Sequence, residues 1–294
     1  MNRKMIILAV VALALVSLAC SININLPVTQ VKTGPTVTDK IIVPLLADKQ
    51  AIAEVTLKFG AGNLDLQPGA VSELISGTAT YNVADFTPVV TIDSNNINIE
   101  QGNLKITGIP NFNRDLVNDW NFSLGNSLLS LVINAGAYTG DYELGGLSIH
   151  RLDVTDGASK VNLSFSKPNL VQMTSLNYTT GASEVTLKGL ANANTTDMTF
   201  RSGAGNYTLD FSGNLQSNMD VTVEAGVSSV TIAIPQGMNA QVLTETGLMT
   251  VSTSGSWQQQ GTTYSMAGNG NMITVHAKLG AGNLKLETIS SSIK

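Results

Sequence analysis

The chain has 294 residues, of which 43% are hydrophobic, 13% charged and 5% aromatic, with a formal net charge of −5. That is enough apolar material for a long core, which excludes wholesale disorder, and the acidic balance speaks against a nucleic-acid partner. A single cysteine excludes a disulfide framework and a cysteine-based zinc site within one chain.

The N-terminus reads as an export signal. Arg3 and Lys4 form a short positive region, and Met5 to Ala19 is an uncharged apolar run of 15 residues. That is shorter than the roughly 18 residues of a spanning helix. The run ends Val16-Ser17-Leu18-Ala19-Cys20, small residues leading into the lone cysteine. This resembles a bacterial lipoprotein signal, although Leu18 sits one place later than in the commonest pattern and Ser17 takes its position. The resemblance implies cleavage before Cys20, lipid (palmitate-type) attachment at Cys20 and anchoring to the outer face of a membrane. The alternative is an ordinary secretory signal with an incidental cysteine. Loss of residues 1–19 removes Arg3 and Lys4 and moves the net charge from −5 to −7. Two or three acyl chains, at about 0.8 kcal/mol per buried methylene, make such an anchor stable. Residues 20–44 contain Thr, Asn and Pro without sustained alternation and read as the lipidated cysteine and a flexible tether.

From residue 50 the chain repeats one idiom. Leu57-Lys58-Phe59-Gly60-Ala61-Gly62-Asn63-Leu64-Asp65-Leu66 near the start returns almost unchanged as Ala277-Lys278-Leu279-Gly280-Ala281-Gly282-Asn283-Leu284-Lys285-Leu286. Gly136, Gly157, Gly181, Gly203 and Gly226 open similar words, and Gly247 a weaker one. Around each glycine, apolar residues fall five and three places before it and four, six and often eight places after it. For Gly203 these are Met198, Phe200, Tyr207, Leu209 and Phe211; for Gly226 they are Val221, Val223, Val230, Ile232 and Ile234. Period two on each side means strands with one buried face. The buried parity flips across the glycine, so the glycine marks a corner or bulge. The spacings from Gly136 to Gly247 are 21, 24, 22, 23 and 21 residues. A near-constant period predicts all-β coils of about 22 residues stacked as a β-solenoid or β-helix. One or two β-sandwiches are the alternative.

Residues 70–130 are less regular, with partial templates at Gly77 and Gly102. A soft boundary near 128 therefore divides an N-terminal all-β part, 45–128, from C-terminal repeats, 129–294. The Gly-, Gln- and Ser-rich stretch 254–271 reads as a protruding hairpin with Trp257 and Tyr264 near its arms, serving as a cap over the open end of the core.

The opening at Gly60, the Gln101 region, Asn118-Asp119-Trp120 and the run from Ile133 through Gly145-Gly146 and Gly157-Ala158-Ser159 to Phe165-Ser166 and Pro168-Asn169 resemble the toast-rack family. They are similar, more distantly, to adhesin-like and LiaF-like C-terminal domains. The resemblance covers most of residues 45–290. It implies an all-β stacked fold in an exported, lipid-anchored protein without an assigned activity. LiaF-like relatives belong to envelope-stress sensing systems.

Chemistry-bearing patterns are sparse. His150 and His276 read as a turn residue and a surface strand residue. Short acidic pairs, Asp141 with Glu143, Asp153 with Asp156 and Asp115 with Asp119, do not recur at the coil period and read as solubilising surface groups. No catalytic residue, cofactor or metal ligand is expected. Asn162, Thr186, Thr208 and Thr231 are outward positions that stacking would align into a polar ladder. The functional expectation is a non-catalytic envelope-structural or adhesive lipoprotein, held to the membrane by its lipid, with a glycan or envelope-protein partner and no nucleic acid. The alternatives are a glycan-active β-helix enzyme and an extracytoplasmic partner of a stress-sensing system.

Overall fold

The structure, a computed structural model, describes residues 28–104, 109–111, 115–245 and 247–290. The export signal and Cys20 lie outside the described residues. The strands, in chain order, are β1 (Val28–Gln30), β2 (Val37–Pro44), β3 (Ala53–Ala70), β4 (Glu73–Tyr81), β5 (Pro88–Asp93) and β6 (Asn96–Gln101). They continue as β7 (Ile109–Asn111), β8 (Asn118–Gly125), β9 (Leu128–Glu143), β10 (Ser148–Ser164), β11 (Ser175–Lys188) and β12 (Asp197–Asp210). The last are β13 (Met219–Pro235), β14 (Met238–Thr244), β15 (Leu248–Ser254), β16 (Gln258–Gln260), β17 (Thr263–Met266) and β18 (Asn269–Ile289).

Seven of them, β3, β9, β10, β11, β12, β13 and β18, are long, and they lie side by side in that order, all parallel. Each is one strand bent at its template glycine rather than two strands joined by a turn. In β12, Met198 and Phe200 are buried on one arm and Tyr207 and Leu209 on the other, so the flip of parity expected at Gly203 is present. The two arms enclose one hydrophobic core that runs the length of the stack. The chain is therefore a stacked β-solenoid, not a pair of sandwiches.

The glycines sit directly above one another. A Cβ on Gly203 would stand 2.6 Å from the carbonyl oxygen of Gly181, and on Gly136, Gly181 or Gly226 it would press still closer on the glycine of the neighbouring layer. Close backbone approach at the bend is what excludes a side chain there. Gly205, two places on, has φ +150°, and a Cβ there would collide with the Ser183 carbonyl. It is glycine for its conformation as well as for space.

Stacking order departs from chain order at both ends. β18 lies between β13 and the pair β14 and β15, so the Gly280 layer sits inside the Gly247 layer. At the other end the outer layer on β3 is also made of two strands, β6 on the first arm and β8 on the second. Residues 70–128 are thus an end structure. β4 adds antiparallel to β8, β2 antiparallel to β4, and β5 antiparallel to β6.

Three expectations change accordingly. Residues 37–44, read as tether, are β2, an edge strand with Ile41 and Val43 buried, because alternation sets in there and pairs with β4. No break falls near residue 128, since β3 and β9 pair over Ala53–Leu66 and share the core. The stretch 254–271 does form a hairpin, but it folds back rather than protruding: β17 pairs with β14 and Tyr264 is buried.

Candidate functional site

The bend leaves a furrow on the outside of the stack, running past the glycine column. Toward the N-terminal end it forms a cavity of about 570 Å³ lined by Lys58, Gly60, Ala61, Glu100, Asn134, Gly136, Ala137 and Thr155 among others. Toward the C-terminal end it forms one of about 610 Å³ lined by Thr179, Thr180, Arg201, Ser202, Glu224, Lys278 and Gly280 among others. Both are the same template positions in successive layers. Nine layers, with eight spacings of ~4.8 Å between them, give a furrow of ~38 Å.

Register builds one wall. The residues two places before each corner stack as Glu100, Lys58, Asn134, Thr155, Thr179, Arg201, Glu224 and Lys278. Glu245 closes the row through its ion pair to Lys278 at 2.9 Å. Lys58 pairs with Glu100 at 3.1 Å and Arg201 with Glu224 at 2.8 Å. Charges therefore flank a neutral centre of Asn134, Thr155 and Thr179. Lys58, with Asn98, holds the Glu100 carboxyl below the usual carboxylate range, and the hydrogen bond to Glu245 raises the Lys278 ammonium. Each carboxylate in the wall is committed to a cation.

The polar ladder expected on the second arm is in place. Asn162, Thr186, Thr208 and Thr231 are consecutive register partners. Lys285 continues it on one side, and Asp141 and then Asp65 on the other. Burial, with Asp141 and Asp119 nearby, raises the Asp65 carboxyl.

The acidic pairs do not converge. Asp153 points outward, bound to Arg151 at 3.1 Å and to Asn177 at 2.7 Å, whereas Asp156 points into the core. Asp141 and Glu143 share a face. Burial raises the Glu143 carboxyl, but hydrogen bonds from Ser164, Ser166 and the Gly145 N–H outweigh it and hold the group low. Asp115 lies in a turn outside the sheet, while Asp119 sits in β8 and accepts from Asn63. His276 is exposed on β18, and His150 lies in β10 rather than in a turn. Among the described residues no group of three or more His, Cys, Asp or Glu is placed to hold a metal.

The polar feature that the sequence reading placed on the surface is Asp156. It is 7% exposed and accepts hydrogen bonds from Tyr178 at 2.7 Å, Tyr138 at 3.3 Å and Thr180. Burial, together with Asp156, pushes the Tyr138 and Tyr178 phenols upward. The signal was in the template: if the positions five and three before the glycine face inward, so does the position directly before it. Gly140 stands where other layers carry Val, Leu or Tyr207, and the space is filled by the rings of Tyr138 and Tyr142. This cluster is enclosed and belongs to the core.

Residues 32–173, and again residues 171–233, match the family described as the N-terminal domain of toast_rack, DUF2154. No curated protein matches the chain. Among solved structures, a "putative cell adhesion protein" from Clostridium sporogenes is similar with 18% identity and a TM-score of 0.44, over 87% of this chain and 100% of that one. A "putative adhesin" from Parabacteroides merdae has 9% identity and a TM-score of 0.34, over 88% and 98%. A "putative lipid binding protein" from Parabacteroides distasonis has 11% identity and a TM-score of 0.35, over 88% and 99%.

Proposed function

The chain belongs to the toast-rack family, and from that premise we propose that it is an exported, lipid-anchored, non-catalytic binding or adhesive protein of the cell envelope. The furrow carries the reading. It is long and open, which suits an extended polymer such as a glycan strand, and its carboxylates are each neutralised by a neighbouring cation. Glycosidic cleavage needs a carboxyl free to donate a proton and a second one about 5–9 Å away. Asp153 and Asp156, on opposite faces of β10, do not make that pair.

Anchoring at Cys20 also orients the molecule. Only residues 21–27 separate Cys20 from β1, which is at most about 25 Å of extended chain. β1 pairs with β7, and Val31 just after it packs with Tyr81, Val83 and Phe86 at the end of the stack built by residues 70–128. That end stands against the membrane, and the end built by β14 to β17 points away from it.

Two measurements test this. Cys20→Ser is expected to move the protein from the membrane pellet to the soluble fraction; a variant that stays in the pellet refutes the anchor. Ala137→Trp with Thr179→Trp fills the furrow from exposed positions. Co-sedimentation of the whole protein with purified cell-wall polysaccharide is expected to fall at least fivefold, and undiminished sedimentation refutes the furrow as the binding surface.

A further inference from the structure

We propose that the membrane-distal tip is a homophilic contact, in which β15 of one copy pairs antiparallel with β15 of a second copy. Among the described residues the sheet ends at four strands that each have a partner on one side only: β2, β5, β15 and β16. Three of them carry the devices that discourage strand addition. β2 holds Asp39, Lys40 and Pro44; β5 holds Pro88 and Asp93; β16 is three residues long. β15 has none of these. It is seven residues, Leu-Met-Thr-Val-Ser-Thr-Ser, without charge or proline, in unbroken register with β18.

Three observations select a second copy as the occupant. First, an uncharged strand meets itself without like-charge repulsion, which a strand carrying Lys or Asp does not. Second, pairing about Val251 sets Leu248 against Ser254, Met249 against Thr253 and Thr250 against Ser252. Every opposed pair then lies on one face, so the half-buried Met249 and Val251 of both copies extend a common core. Third, the exposed apolar side chains beside this edge, Leu248 at 85% and Val227 at 69%, line up across β15, β18 and β13 through Ala281. A twofold contact about Val251 sets one such patch at each end of the paired strands, so both copies contribute the same surface, the closed arrangement that most homodimers use.

The contact is small. Seven residues of edge offer less than the roughly 1,200 Å² of a standard stable interface, so one pair is weak and many pairs between two surfaces are strong. The trans arrangement, tip against tip across two membranes, rests on the anchored reading above; the pairing itself does not.

The test uses the full chain reconstituted into phosphatidylglycerol–phosphatidylcholine vesicles, followed by flotation and by turbidity. Wild-type vesicles are expected to cluster, and the exposed edge substitutions Thr250→Lys with Ser252→Lys are expected to slow clustering at least tenfold while the protein still floats. Vesicles that carry wild-type protein and stay dispersed, or variant vesicles that cluster equally, overturn the proposal. If the protein does not float, the anchor reading fails. The tip is then read by sedimentation of the whole protein in solution: a concentration-dependent dimer in wild type, absent in the lysine variant, supports it, and a wild type that stays monomeric at about 1 mM overturns it. A mixture of Thr250→Cys and Ser252→Cys copies reports the register, since these are expected to cross-link to each other faster than either to itself.

Discussion

In the middle of the stack each layer is one long bent strand; at either end the outermost layer is two strands. β10, β11 and β12 run unbroken through Gly157, Gly181 and Gly203, and backbone lies on backbone at every bend. At the N-terminal end β6 stops at Gln101 and β8 starts at Asn118, so among the described residues no continuous strand crosses the Gly60 bend. Side chains replace it. Gln101 Oε1 accepts from the Gly60 N–H at 2.9 Å, and Asn118 Nδ2 donates to Gln101 Oε1 at 2.8 Å and to the Ala61 carbonyl. At the C-terminal end the break falls between β14 and β15, and among the described residues β15 pairs on one side only. Repetition thus makes a rigid middle, and termination has to be solved separately at each end. One end closes with two amides and antiparallel strands, and the other stays open on its second arm.

The comparison breaks most visibly at the glycine column. Gly203→Ala is expected to lose roughly 2–4 kcal/mol in urea unfolding, because neither backbone has room to move. Gly157→Ala, whose Cβ would stand 3.1 Å from the Gly136 oxygen, is expected to lose about 1 kcal/mol. Equal losses would mean that the bend tolerates side chains and that the close stacking is not what fixes it.

A second test concerns the polar cluster in the middle. Asp156→Ala leaves the hydroxyls of Tyr178 and Tyr138 without their acceptor, while Thr180 keeps Ser183 at 2.6 Å, with an expected loss of about 2–3 kcal/mol. Asp156→Asn keeps an acceptor and is expected to lose less than half of that by the same measurement. At the N-terminal end, Gln101→Ala removes the acceptor of the Gly60 N–H. The expected loss is about 1–2 kcal/mol, accompanied by faster amide exchange at Gly60 and not at Gly203. Uniform exchange at both bends would dissolve the distinction between middle and end.

The smallest effect is in the acid limb. The Glu143 carboxyl is held below its ordinary 4.5, so its contribution is present above that value and declines as pH falls through the lowered folded value. Glu143→Gln is expected to flatten the drop of melting temperature below pH 4.5 and to leave the profile near pH 7 shallow, as in wild type. An unchanged acid limb would mean that Ser164 and Ser166 bind the neutral side chain as well as the charged one.

Much of the architecture was legible because period two and the flip at each glycine are properties of local sequence. The template named Met198, Phe200, Tyr207 and Leu209 as inward, and all are buried. The furrow was not legible as a site, because its wall joins residues such as Arg201 and Glu224 whose adjacency depends on register. The same template implied that Asp156 faces inward, but an acidic residue in a pair reads as surface until its three hydroxyl donors are known. Residues 37–44 escaped because Thr38, Asp39 and Lys40 interrupt the apolar alternation that Ile41 and Val43 then resume.

By itself the sequence determined the unit: a strand, a bend that only glycine allows, and a strand of opposite parity, repeated about every 22 residues. Those are consequences of side-chain alternation and backbone sterics within one layer. The tertiary structure alone decided the order of the layers. β18 threads between β13 and the β14–β15 pair, and β3 rests on β9 across an insertion of more than fifty residues. Layers built on one template present nearly the same faces to their neighbours. The choice among them is then made by which bends can stack without a side chain between them and by which edges remain to be covered.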